Sequence, residues 1–290
     1  MKRAITQATV LISVAAFAAS CAPAGESARS GQLETEGKTA AVSSSETTVE
    51  VEDNEGTKSV PYAPERVAAL DDRSRELLEA MGVDVREADS GVDLVVSGTT
   101  EGAAAERPDA AFVDLSPRDG IPLDWEMVRQ AQILGRILGR EEEAAELDDQ
   151  FSRARTRAIE ARKNSWKFAA MTSDGNQLTP QPAMGDAFWN PVFVMLELTP
   201  ALVPDGPTDL NAVIDSKPSF LLVTESTKRY GDHGYTPPMR IMAEQQDLAK
   251  LAAVEKGNIY VSPVELQDTA SVVGYTKVFN ELAEQWSATS

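Results

Sequence analysis

The densest group of reactive side chains is the stretch KRYGDHGYTPPMR, residues 228–240. It holds the only histidine of the chain, His233, with Arg229, Tyr230, Tyr235 and Arg240 around it. Imidazole and phenolate both ligate Fe(III), and His233 and Tyr235 are close enough in sequence to reach one ion. Arginine adds a planar fork of donors suited to anionic oxygen ligands, and tyrosine adds flat area for stacking. Against this, a lone loop histidine is more often simply solvated. A site for a bare divalent metal needs several histidines, where this chain has one. The stretch is also longer than an ordinary strand-to-helix connection, which favours a recognition loop. Enzyme signatures are missing from the sequence: it contains no GxSxG, HExxH, CxxC or phosphate-binding glycine loop. Asp71 and Asp72 are adjacent acids, a weak sign of acid–base chemistry. The chain therefore reads as a binding protein, not an enzyme.

A second reactive group stands apart. Cys21, the only cysteine, follows a basic start (Lys2, Arg3) and a mostly apolar run from Ala4 to Ala19. The run is short of the ~20 residues that a membrane span needs and fits the core of an export signal. Ala18-Ala19-Ser20-Cys21 resembles a bacterial lipobox, with Ala18 where leucine is usual. Cys21 is thus the expected lipidation site, and the protein is expected outside the cytoplasm, anchored to the cell membrane through an N-terminal lipid. The formal net charge of −19 repels nucleic acid, and nucleic-acid binding is not expected.

These groups need a scaffold. Residues 1–20 read as a lipoprotein signal peptide and 21–58 as a disordered tether rich in Ser, Thr, Gly, Ala and Glu. Within that tether TTVEVED (47–53) can alternatively pair as an edge strand. Beyond it, short apolar runs alternate with helical patterns. RVAAL, DLVVS, AAFVDL, KFAAMT, SFLLVT and NIYVS read as strands, separated by amphipathic segments ending in glycine. EEEAAELDDQFSRARTRAIEARK carries an apolar stripe through Ala144, Leu147, Phe151, Ala154 and Ala158 and reads as one long helix. The expected fold is α/β: two lobes with mainly parallel sheets, at 59–140 and 166–290, joined by that helix at 141–165.

Several stretches in this order resemble the substrate-binding proteins of iron-siderophore, haem and cobalamin ABC importers. VPYAPERVAALDDRSRELLEAMGVDV resembles the family's opening strand and helix, and ERPDAAFVD its Pro-Asp turn into a strand. QILGRILGREEEAAELDDQF resembles its turn into the inter-lobe helix. SKPSFLLV and LAAVEKGNIYVSPVEL resemble the proline-led and late strands of its second lobe. The resemblance spans nearly all of 60–286. It implies a ferric siderophore or similar iron chelate as ligand, an ABC permease as partner, and Fe(III) arriving inside the chelate rather than as an intrinsic cofactor. Haem, cobalamin, or a protein partner of a diverged lipoprotein are the alternatives.

The family's cleft is lined by loops at the strand ends of both lobes. Mapped onto this chain, the expected ligand-binding residues are Arg73, Arg118, Trp125, Trp189, Arg229, Tyr230, His233, Tyr235 and Arg240. His233 and Tyr235 would be metal ligands only if iron is coordinated directly. The family docks on its permease through one glutamate per lobe. Glu101 matches the first; the second position falls at Asn211, with Asp209 close by as a substitute.

Overall fold

A computed structural model describes residues 47–88, 91–103, 110–183, 189–225, 234–262 and 271–289. Valine- and leucine-rich runs too short for helices become strands wherever both faces are covered. In the first half these are β3 (Val67–Ala69), β4 (Val85–Arg86), β5 (Leu94–Ser97) and β6 (Ala111–Asp114), preceded by the hairpin strands β1 (Thr48–Asp53) and β2 (Gly56–Pro61). The sheet is all parallel in the order β4-β3-β5-β6. Helices α1 (Asp72–Ala80), α2 (Thr100–Ala103) and α3 (Leu123–Leu138) connect it. In the second half β7 (Phe168–Ser173), β8 (Leu178–Gln181), β9 (Phe220–Glu225) and β10 (Ile259–Ser262) take the order β10-β9-β7-β8, with only β8 antiparallel. Its helices are α5 (Asn190–Met195), α6 (Leu210–Ser216), α7 (Pro238–Glu244), α8 (Gln246–Ala249), α9 (Ala252–Glu255) and α10 (Val272–Ala288). The protein is two lobes of α/β structure, as the sequence predicts.

The helix α4 (Glu141–Ala161) joins the lobes and is about 30 Å long at 1.5 Å per residue. It buries Ala144, Phe151, Ala154 and Ala158, four residues of the predicted stripe. It ends at Ala161, where Arg162 turns extended, four residues short of the predicted boundary. The sequence did not single out its companion as a brace. Helix α10 runs along α4, with Phe151 and Phe279 packed at 5.7 Å between ring centroids and Arg157 bonded to Asn280. At its start, Ser271 donates to Glu76 of α1 in the first lobe. At its end, Trp286 sits among Trp166, Phe168 and Phe220 in the second. One core therefore runs from Val67 and Met127 through Phe151 and Phe279 to Phe220 and Tyr260.

Arg155 of α4 ties both lobes to this brace. Its Nη1 lies 3.2 Å from Asp124 Oδ2 at the start of α3, and its Nε donates to the Met195 carbonyl at the end of α5, 2.8 Å away. Arg155→Ala is expected to cost about 2–3 kcal/mol, the lower part of the combined range for one charge-assisted and one ordinary hydrogen bond, because the side chain is partly exposed. Amide hydrogen exchange should accelerate in the first turn of α3 and around Met195. Unchanged exchange at both places would show that Arg155 carries no inter-lobe restraint.

The tether boundary needs correction. Residues 48–58, assigned to a disordered tether, are folded: β1 and β2 pair in register from Thr48 opposite Pro61 to Asp53 opposite Gly56. The alternative reading of TTVEVED as a strand is the one the structure takes. Composition misled here because only Val51 and Val60 of the hairpin are buried hydrophobics. Polar bonds supply the rest. Asp53 accepts from the Asp114 N–H at 2.9 Å and pairs with Lys58 at 2.7 Å, and Asn54 donates to the Ser116 carbonyl at 2.7 Å. Cys21 lies outside the described residues. Among the described residues no helix is long and apolar enough to cross a membrane.

Candidate functional site

In parallel α/β sheets the strand C-termini carry the loops that meet ligands. In the first lobe the loop after β3 begins with Asp71, which also caps α1. Its Oδ1 accepts from the Ser74 N–H at 2.8 Å; its Oδ2 accepts from the Gly98 N–H at 2.7 Å and the Ser97 hydroxyl at 3.1 Å. One carboxylate thus ties together the ends of β3 and β5. The approach is close: a Cβ on Gly98 would sit 2.9 Å from Ser74 Oγ and 3.3 Å from Arg73 Cδ, so those side chains would have to shift. Arg73 donates from Nη1 to the Gly98 carbonyl at 3.4 Å and is half-buried beside Tyr275 of α10. Burial pulls the Arg73 guanidinium below its ordinary range, opposed by Tyr275, Asp71 and Glu101. Burial also pushes the Tyr275 hydroxyl up to about 12, so it stays protonated.

At the end of β6, Arg118 meets Glu126 of α3. Nη2 and Nε lie 2.7 and 3.0 Å from Glu126 Oε1, and the Arg118 N–H reaches Oε2 at 3.2 Å. Arg129 approaches the same Oε2 at 2.6 Å. The Glu126 side chain is wholly buried. Burial pushes its carboxyl up, but the hydrogen bonds from Arg118 and Arg129 outweigh that and hold it below the usual carboxylate range. Trp125, the adjacent residue, is 69% exposed.

In the second lobe Gly175, at φ 79°, follows β7, and the Tyr235 ring lies on it, 2.7 Å from where a Cβ would stand. The Thr236 N–H donates to the Gly175 carbonyl at 2.8 Å, fixing the start of the segment before α7. The Tyr235 hydroxyl donates to Glu225 at the end of β9. Burial pushes the Glu225 carboxyl up. At the ends of β9 and β10, Thr224 and Ser262 stand side by side in register, both buried, and neither hydroxyl has a hydrogen-bond partner among the described residues.

The predicted site residues divide. Arg73, Arg118 and Trp125 stand at the strand ends of the first lobe and Tyr235 at those of the second. Arg73 and Arg118 have acidic neighbours, and the Tyr235 phenol is engaged by Glu225. Trp189 does not reach a cleft surface. It is fully buried, edge-on to Tyr260 at 6.0 Å, because its large apolar ring fills the second lobe's core. Arg240 projects from α7 and pairs with Glu244 one turn on, at 2.8 Å. Arg229, Tyr230 and His233 lie outside the described residues. Glu101 is exposed on α2; Asp209 is exposed and caps α6 by accepting from the Ala212 N–H at 2.8 Å. Among the described residues no cluster of histidine, cysteine and acidic groups is placed to hold a metal ion. Sequence reasoning missed Glu126, Tyr275, Glu225 and Asn54. Glu126 left a signal: it is a charged residue on the apolar face of α3, beside Met127, Gln130 and Leu134.

No protein-family model matches the sequence, and a search of curated proteins returns no significant match. Solved structures match across the folded part. The siderophore-binding protein BauB, solved with two molecules of acinetobactin and ferric iron, superposes with a TM-score of 0.68 over 83% of this chain and 99% of that one, at 13% identity. A TroA-like periplasmic binding protein from Xylanimonas cellulosilytica gives 0.65 over 83% and 99%, at 19% identity. The periplasmic catecholate-siderophore binding protein VctP from Vibrio cholerae gives 0.63 over 84% and 99%, at 16% identity. This chain has the two-lobed α/β fold of these periplasmic binding proteins.

Proposed function

We propose that the protein is an extracytoplasmic substrate-binding protein that captures a ferric siderophore or related iron chelate and delivers it to an ABC importer. It acts by binding, not by catalysis, and Fe(III) is cargo inside the chelate. The observation that carries this reading is the arrangement of two mainly parallel sheets joined by α4, a two-lobed fold that superposes on siderophore-binding proteins over nearly the whole of their chains. The packing of α10 along α4 suits capture with little lobe motion, since packed helices shift only slightly against each other. In this reading Cys21 carries the lipid anchor, the lobes join near residues 140 and 166, and Glu101 and Asp209 face the permease.

Of the four tryptophans only Trp125 is exposed; Trp166, Trp189 and Trp286 are buried. Titration with ferric hydroxamate, catecholate and citrate chelates is expected to quench fluorescence saturably at sub-micromolar concentration. Trp125→Phe should remove most of the quenching while calorimetry still detects binding. Tight binding of haem or cobalamin instead would keep the fold and change the cargo. No binding by folded protein to any of these would overturn the proposed function.

A further inference from the structure

β6 is the last strand of its sheet, paired with β5. Its outer edge is covered by the β1–β2 hairpin, which takes every second residue much as a neighbouring strand would. Lys58 donates to the Phe112 carbonyl at 3.2 Å. Asp53 accepts from the Asp114 N–H at 2.9 Å, and the Asn54 N–H donates to the Asp114 carbonyl at 3.0 Å. The series runs on past the end of β6. Asn54 Nδ2 donates to the Ser116 carbonyl at 2.7 Å and to Ser116 Oγ at 2.9 Å. Asn54 Oδ1 accepts from Arg129 Nη2 at 3.3 Å, and that same nitrogen reaches the Ser116 carbonyl and Glu126. One side-chain amide therefore bridges the hairpin turn, the loop after β6 and the Arg118–Glu126–Arg129 cluster. The loop leads through Arg118 to Trp125, two residues expected to meet the ligand.

We propose that Asn54 is a positioning residue for ligand capture: it holds the loop from Ser116 to Arg118 in its binding geometry before the ligand arrives. This rests on the proposed function and adds to it a residue from the stretch that the sequence reads as a tether. A loop that is already ordered loses less freedom on binding, so it raises affinity with no new contact. When only a fraction of molecules hold the competent loop, apparent affinity falls by that fraction. The loss then appears in the association rate, since the bound state is the same. Loss of a direct ligand contact raises the dissociation rate instead.

The test is stopped-flow fluorescence on the whole protein with the ferric hydroxamate, catecholate and citrate chelates, alongside thermal unfolding. Asn54 is exposed and its φ is not positive, so alanine fits the turn. Asn54→Ala removes both side-chain roles. Asn54→Asp keeps the shape and the acceptor for Arg129 but cannot donate to Ser116. Both variants are expected to bind about two- to tenfold more weakly, the scale of ordering one or two side chains, through slower association at an unchanged dissociation rate. Amide exchange at Ser116 and Arg118 should quicken in both. Native affinity in either folded variant would overturn the inference and leave the proposed function standing. Faster dissociation would make Asn54 a ligand contact and overturn its positioning role. Failure of the native protein to bind any probe would overturn the proposed function and this inference with it.

Discussion

Trp286→Ala is expected to lower stability by about 3–5 kcal/mol, the usual cost of deleting a large buried aromatic, and to do so in a single transition that includes both lobes. The indole is 1% exposed and lies 5.4 Å from Phe168, 5.9 Å from Phe220 and 6.4 Å from Trp166 between ring centroids. Each such pair contributes about 0.5–1.5 kcal/mol beyond area burial, so the loss falls at the top of the range if the site cannot collapse. Trp286→Phe keeps much of the packing and removes an indole N–H that has no hydrogen-bond partner among the described residues. It should therefore cost far less, and comparing the two separates packing from global damage. The single transition follows from the core, which passes without interruption from Val67 through Phe151 and Phe279 to Phe220. Urea unfolding followed by circular dichroism and by tryptophan fluorescence should give coincident curves. Two separated transitions would show that α4 and α10 do not couple the lobes.

What the sequence disclosed depended on how each element is stabilised. β5, β7 and β9 were legible because LVVS, FAAMTS and FLLVTE are apolar on both faces, as buried parallel strands require. Helix α3 ended where Gly139 predicted, in the left-handed conformation. The hairpin was opaque because Asp53, Asn54 and Lys58 hold it by bonds to distant residues, among them Lys58 to the Phe112 carbonyl, and no local pattern encodes a partner more than fifty positions away. β8 was missed for a related reason: LTPQ is an edge strand that carries Pro180, tolerable only where one side goes unpaired. The site was less legible than the fold. Residue type alone made Arg118 and Trp189 look like ligand groups. Only three-dimensional neighbours show that Glu126 occupies the first and that Tyr260 helps bury the second. Conversely, Glu225 looked like an ordinary strand end until Tyr235 came to rest against it.

Glu126→Gln should lower stability by an amount that depends on pH, because it dismantles the buried ion cluster of Arg118, Glu126 and Arg129. At neutral pH the substitution removes a buried carboxylate that accepts from Arg118 and Arg129, leaving Arg129, only 15% exposed, without its counter-charge. Breaking a buried pair costs about 3–5 kcal/mol; because Arg118 is 48% exposed and can rehydrate, about 2–3 kcal/mol is expected here. The sign of the pH dependence follows from the carboxyl being held below its usual value of 4.5. A depressed folded-state pKa adds stability that is complete above the unfolded value and is lost as pH falls through the folded one. The gap between the native protein and Glu126→Gln should therefore be widest at neutral pH and close progressively below about pH 4.5. A gap that does not change with pH would mean that the carboxylate contributes shape rather than charge.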